Sequence, residues 1–118
     1  MKKEFVPYEL AVKLKALGFE ESCLAGFDDD GDLHIQRVDF QSDIEGFCLA
    51  PTFSQAFRWF RENGKVAEVF SQILPSNKYK WGYKIQGVEG ITDGFLTYEE
   101  AELACLEKLI EIVLGKSE

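Results

Sequence analysis

Few residues in this chain have the types needed for chemistry. His34 is the single histidine, and Cys23, Cys48 and Cys105 are the thiols. A thiol nucleophile needs a base beside it, so cysteine chemistry here would have to recruit His34. The three cysteines are odd in number, widely spaced and without a C-x-x-C pair. An oxidising compartment favours an even count in so short a chain, so they read as reduced, buried thiols acting as small hydrophobes. A zinc site would need His34 together with two or three cysteines from distant segments and a carboxylate. No metal, cofactor or catalytic residue is assigned on these grounds.

The acidic run Asp28-Asp29-Asp30-Gly31-Asp32 invites comparison with a calcium loop. An EF-hand loop carries its glycine at the sixth position and a glutamate at the twelfth. Placing Gly31 sixth puts Gly26 first and Arg37 twelfth, and the pattern fails. Asp and Gly both tolerate the backbone of a tight turn, so the run reads as hairpin chemistry.

Two further groups have the composition of contact surfaces. Lys78, Lys80 and Lys84 alternate with Tyr79, Trp81 and Tyr83. A nucleic-acid platform puts cations and aromatic rings on one accessible face. Strand alternation separates them here, giving a wet lysine face over an aromatic core. Trp59, Arg58 and Arg61 lie off the main apolar stripe of their helix. Tryptophan beside arginine is the composition of an interface hot spot, so these three are the candidate protein-contact residues. Phosphate loops, G-x-S-x-G, H-E-x-x-H and paired-carboxylate signatures are not found in the sequence.

The elements that must position these residues are legible from periodicity and caps. Pro7 opens a first helix, with Leu10, Ala11, Leu14 and Leu17 as its buried stripe. Gly18 then supplies a left-handed cap, and Phe19 the hydrophobic contact that follows it. Residues 22–27 and 33–38 flank the Asp-Gly turn as a β-hairpin, with Leu33, Ile35 and Arg37 on one face and His34, Gln36 and Val38 on the other. Residues 46–50 are expected to form a short strand. Thr52 and Gln55 fit a capping box ahead of a second helix, whose stripe is Phe53, Ala56, Phe57 and Phe60 and whose stop is Asn63-Gly64. A strand over 65–74, a turn at Pro75-Ser76-Asn77 and a strand over 78–85 follow. A further strand or turn is marked by Gly87, Gly90 and Gly94. Thr97-Tyr98-Glu99-Glu100 caps the last helix, with Leu103, Leu106, Ile110 and Val113 along one line, Cys105, Leu109 and Ile112 widening it, and Gly115 closing it. The order α-ββ-α-ββ-α predicts an α+β fold over residues 1–118. It would form a single domain, with an antiparallel sheet of about four or five strands covered by three helices.

The bulk numbers narrow the function classes. The chain has 118 residues, a net charge of −8, ten Phe, four Tyr and two Trp. So aromatic a chain is not a solvated coil. Its acidity argues against general binding of nucleic acid, which draws on clustered Lys and Arg. No apolar run approaches the roughly 20 residues of a membrane span. Lys2 and Lys3 imitate the start of a signal peptide, but Glu4, Pro7, Glu9 and Lys13 break any apolar core behind them, which predicts a cytoplasmic protein.

Three segments taken together carry a resemblance. They are Phe5-Val6-Pro7-Tyr8-Glu9-Leu10 through Leu17-Gly18-Phe19, Ala50-Pro51-Thr52-Phe53 through Glu62, and Thr97-Tyr98-Glu99-Glu100-Ala101-Glu102 through Ile112-Val113. The chain resembles a family of short uncharacterised proteins found in Bacteroidetes genomes and in their bacteriophages and prophages. The likeness spans nearly the full length, with the middle hairpins most divergent. It implies a context, an accessory protein of phage or mobile-element origin, and no activity, cofactor or site residue.

The leading expectation is therefore a small accessory protein acting through protein contacts, with an unknown partner or as a homodimer. An alternative is a small-molecule binder or enzyme with a helix–sheet pocket rimmed by Cys48 or His34. Another is an acidic mimic of nucleic acid, which would array its carboxylates at phosphate-like intervals along one face.

Overall fold

The computed structural model describes residues 4–40, 47–73, 79–88 and 90–116. Among these residues the protein is α+β, with three helices and two three-stranded antiparallel sheets. In chain order the elements are α1 (Tyr8–Ala16), β1 (Cys23–Phe27), β2 (Leu33–Phe40), β3 (Cys48–Leu49), α2 (Phe53–Glu62), β4 (Ala67–Ile73), β5 (Tyr79–Ile85), β6 (Thr92–Phe95) and α3 (Tyr98–Lys116). Two compact units divide the chain, Met1–Ala56 and Phe57–Glu118, and α2 crosses from one to the other.

In the first unit, α1 starts behind Pro7 and ends in a Schellman cap. Gly18 sits at φ +102°, its N–H donates to the Lys15 carbonyl, and the Phe19 N–H donates to the Leu14 carbonyl. Leu10, Ala11 and Leu14 are buried as the stripe requires, with Leu17 half-buried. The sheet order is β2-β1-β3, so β1 is central. A wide irregularity interrupts the β1–β2 ladder, because Cys23 pairs with Phe40 but Ala25 pairs with Ile35. The chain ahead of α1 also joins this framework. Phe5 bridges Thr52, and the Val6 N–H donates to the Pro51 carbonyl at 2.9 Å. Phe5, Val6, Leu10, Leu14, Phe19, Cys23, Ala25 and Phe27 are buried in the structure. Each large apolar side chain among them stabilises the fold by about 2 kcal/mol.

Thr52 caps α2, its Oγ1 accepting the Gln55 N–H at 3.1 Å. The capping box is only half made: the Gln55 side chain donates instead to the Ser22 carbonyl at 2.9 Å, tying the helix start to the chain entering β1. The helix stops in a second Schellman cap at Gly64, φ +85°, where the Lys65 N–H reaches the Phe60 carbonyl.

The second unit is a meander, β4-β5-β6, with α3 packed on all three strands. The β4–β5 register runs unbroken from Ala67↔Ile85 to Ile73↔Tyr79. Trp81, Tyr83 and Ile85 share the more buried face, while Lys80 and Lys84 share the other with Gly82, as alternation requires. Between β5 and β6 the register slips, with Trp81 opposite Phe95 but Gly82 opposite Asp93. Gly94, at φ +100°, is the extra residue of this bulge. Along α3 the buried seam is Ala101, Cys105, Leu106, Leu109 and Ile110, with Leu103, Ile112 and Val113 half-buried beside it.

Three expectations need correction. The strands form two sheets rather than one of four or five. The short strand expected over 46–50 is Cys48–Leu49, and the strand or turn marked by Gly87, Gly90 and Gly94 is the strand Thr92–Phe95, so each unit has three strands. The element order is accordingly α-βββ-α-βββ-α. Gly115 does not close α3, which continues to Lys116; Gly115 lacks the positive φ of a cap and so adds one more helical residue. The turn at Pro75-Ser76-Asn77, Lys78, the first residue of the strand expected over 46–50, and the side chains of Tyr79, Gln36, Arg37 and Val38 lie outside the described residues.

Candidate functional site

The thiols and His34 are the nucleophile–base pairing that the sequence raises. Cys48 pairs with Phe27, and Phe27 pairs with Leu33 across the other side of β1. His34 pairs with Gly26, which on its other side pairs with Leu49. Residues level with one another share a face, and neighbours along a strand alternate. Cys48 and His34 therefore project to opposite faces of the β2-β1-β3 sheet, with β1 between them. Half-burial pushes the Cys48 thiol above its usual range, opposed by the nearby charge of Lys15. Cys105 is fully buried in α3, and desolvation, helped by the Glu102 charge, pushes it up to about 12. Cys23 is also buried, its Sγ directed at the Glu21 carbonyl at 3.3 Å.

The acidic run forms the turn expected of it. Asp28 Oδ1 accepts the N–H groups of Asp30 at 2.9 Å and Asp32 at 3.0 Å, and Asp28 Oδ2 lies 2.8 Å from His34 Nε2. Gly31 takes φ +83° beneath the Tyr8 ring, where an added Cβ would stand 3.2 Å from Tyr8 Cδ2. His34 also meets Phe47 edge-on, with ring centroids 5.4 Å apart. The contact with His34 leads the causes that hold the Asp28 carboxyl below its ordinary value, followed by the backbone bond from Asp32. The carboxylates of Asp28, Asp30 and Asp32 lie within 4.8 Å of one another, the one described group placed to approach a cation. A hard cation takes about six to eight oxygens. The turn offers three carboxylates, and Asp28 already uses both of its oxygens to close the hairpin.

Trp59, Arg58 and Arg61 occupy the second half of α2. Arg58 and Arg61 are exposed, and Arg58 Nε stands 3.9 Å from Glu62 Oε1 in an i,i+4 pair. Trp59 is half-buried and meets Phe60 edge-on at 5.0 Å. The three therefore sit along one helical stretch, with the indole partly withdrawn from solvent.

Among the described residues, the largest apolar exposure lies elsewhere, where β6 turns into α3. Leu96 is 80 % exposed. Thr97 caps α3 through its Oγ1, which accepts the Glu100 N–H at 3.1 Å. Leu96 thus holds the position before the cap, which in a hydrophobic staple packs on the fourth helical residue, here Ala101. Its exposure shows the staple open. Beside it, Tyr98 is exposed and stands edge-on to Trp81 at 5.5 Å. Phe95, half-buried, pairs with Trp81 in the sheet and stacks on Tyr83 at 6.1 Å. The Tyr98 hydroxyl donates to Glu102 Oε2 at 2.8 Å. Desolvation first, and then this carboxylate, pushes the phenol up to about 12. Desolvation, together with the charge of Glu99, also raises Glu102, against the bond from Tyr98. Sequence reading used Trp81 as core and Tyr98 only as part of a cap. The signal available was an isolated leucine ahead of a helix cap, which periodicity does not register.

Comparison of the chain with protein-family models, with curated proteins and with solved structures finds no match. Among the described residues, no helix is long and apolar enough to cross a membrane.

Proposed function

We propose that this is a small accessory protein that works by contacting another protein, in the cytoplasm and in the phage or mobile-element setting that its sequence resemblance implies. One observation carries the reading: Leu96, 80 % exposed, follows Phe95 at the β6–α3 corner, and Tyr98, also exposed two residues on, meets Trp81 edge-on. Scattered surface leucines need no explanation, but an exposed leucine and an exposed tyrosine at one short corner have the composition of an interface centre. Arg58, Trp59 and Arg61 on α2 form the second candidate contact.

Site-resolved photo-crosslinking tests the reading. A crosslinking amino acid is placed in turn at Leu96, at Arg61 and at the exposed Lys13 of α1, in cells that carry the natural genomic context. A single identified partner trapped from position 96, and competed by unlabelled protein, supports the corner as the contact. The same partner trapped only from position 61 moves the contact to α2. Identical products from all three positions, or none from any, overturn the proposal.

A further inference from the structure

We infer that the β6–α3 corner takes a protein segment bearing lysine or arginine next to an apolar side chain, an inference that rests on the contact reading above. The corner combines two features. Leu96 and the rings of Tyr98 and Trp81 offer apolar and π surface, and residues 91–102 carry Asp93, Glu99, Glu100 and Glu102 with no lysine or arginine. Asp93 is matched by Lys80 at 3.0 Å, on the strand face away from Trp81. Glu99, Glu100 and Glu102 have no cation partner among the described residues. Three carboxylates outweigh the roughly half unit of positive charge at a helix amino terminus. Desolvation comes first in raising the Tyr98 phenol, and the bond to Glu102 and the charges of Glu102 and Glu99 add to it.

A cation over an aromatic face is worth about 0.5 to 2 kcal/mol, and carboxylates around the ring add to it. A second copy of the chain is the poorer occupant. A two-fold contact would set the same acidic corner against itself, between two molecules that each carry −8. A basic apolar segment satisfies both features at once.

The test uses three designed 14-residue helical peptides with one leucine face and a second face of lysine, glutamate or serine. Binding is read from Trp81 emission in full-length protein carrying Trp59→Phe, which leaves a single tryptophan. The expected result is saturable, one-site binding of the lysine peptide, weakened about tenfold by Leu96→Ser and about tenfold by Glu99→Gln with Glu100→Gln, and weakened again by 0.5 M salt. Leu96 and the two glutamates are exposed, and far-ultraviolet circular dichroism verifies that each variant is folded. Equal affinity for the lysine peptide in all variants means general attraction to an acidic protein and overturns the inference. Equal binding of all three peptides, lost in Leu96→Ser, overturns the charge requirement while leaving the contact reading standing. Failure of every peptide to bind overturns the inference; a partner trapped from position 96 would then still support the contact.

Discussion

Cys48 and His34 lie on opposite faces of one sheet, with the strand Cys23–Phe27 between them. The register makes this a property of the backbone, so no rotamer change brings the two together. A pocket lined by one of them is not lined by the other, and the thiol is deprived of the base the sequence offered it.

The thiols should therefore differ in reactivity by burial alone. With Ellman's reagent at pH 8, one thiol is expected to react in the folded protein, slowly, and three in guanidinium. Cys48→Ser removes the native reaction, since Cys23 and Cys105 are buried. His34→Ala leaves the Cys48 rate within about a factor of two, whereas a base in contact would shift it roughly tenfold, the equivalent of one pKa unit. Fast labelling of two or three native thiols would refute this arrangement.

The Tyr98–Glu102 pair predicts an alkaline weakness. The phenol normally ionises near 10 and is pushed up to about 12 in the fold. Between those values the folded protein keeps a proton that the unfolded chain has released, so stability falls as pH rises through the window. Urea unfolding at pH 9 and pH 11 should show a drop that Tyr98→Phe reduces. Absorbance at 295 nm should show a last phenol step near 12 that Tyr98→Phe removes and Glu102→Gln moves down. An unchanged last step in both variants would place the shift on another tyrosine.

Helix ends other than that of α3, which runs past Gly115, were legible because they are local chemistry. Gly18 and Gly64 stop α1 and α2 with positive φ, and Thr52 and Thr97 start α2 and α3 with side-chain caps. The lysine–aromatic alternation of β5 was equally plain, because period two needs only a few residues. The partition into two sheets was not legible. Cys48–Leu49 is a two-residue strand held by pairing with β1, and Thr92–Phe95 contains Asp and Gly and is held by pairing with β5. Such strands owe their existence to partners far along the chain. The same holds for the proposed contact surface: Trp59 advertises itself by composition, whereas Leu96 stands out only because its staple stays open beside Tyr98, which meets Trp81.

Gly82 tests how closely β5 and β6 approach. A Cβ there would meet the Thr92 carbonyl oxygen at 2.7 Å and Asp93 Cβ at 2.9 Å. The first of these is backbone and cannot swing aside. Gly82→Ala should therefore push β6 away and cost about 2 kcal/mol in chemical denaturation, in the range of overpacked cores. Val88→Ala, on the exposed turn after β5, should change stability by less than about 0.5 kcal/mol. Equal stability of Gly82→Ala and the parent would show that the bulge at Gly94 absorbs the added methyl.

Asp28 predicts the acid limb. Its carboxyl is held below 3.8 by His34 first and then by the Asp32 and Asp30 amides. A depressed acid contributes stability above its unfolded value, and that contribution is lost as pH falls through the lower folded value. The loss should begin below about pH 4 and should be absent in Asp28→Asn, which keeps one acceptor for the turn amides but no charge for His34. His34→Gln should raise the Asp28 value toward the ordinary one and shrink the loss, while its onset, set by the unfolded chain, stays where it was. Two-dimensional carboxyl NMR on the parent and both variants reads the titration directly. An Asp28 that titrates at its usual value in the parent would remove the His34 contact from the account of the hairpin. The turn would then rest on the Asp28 Oδ1 bonds to Asp30 and Asp32 and on Gly31 alone.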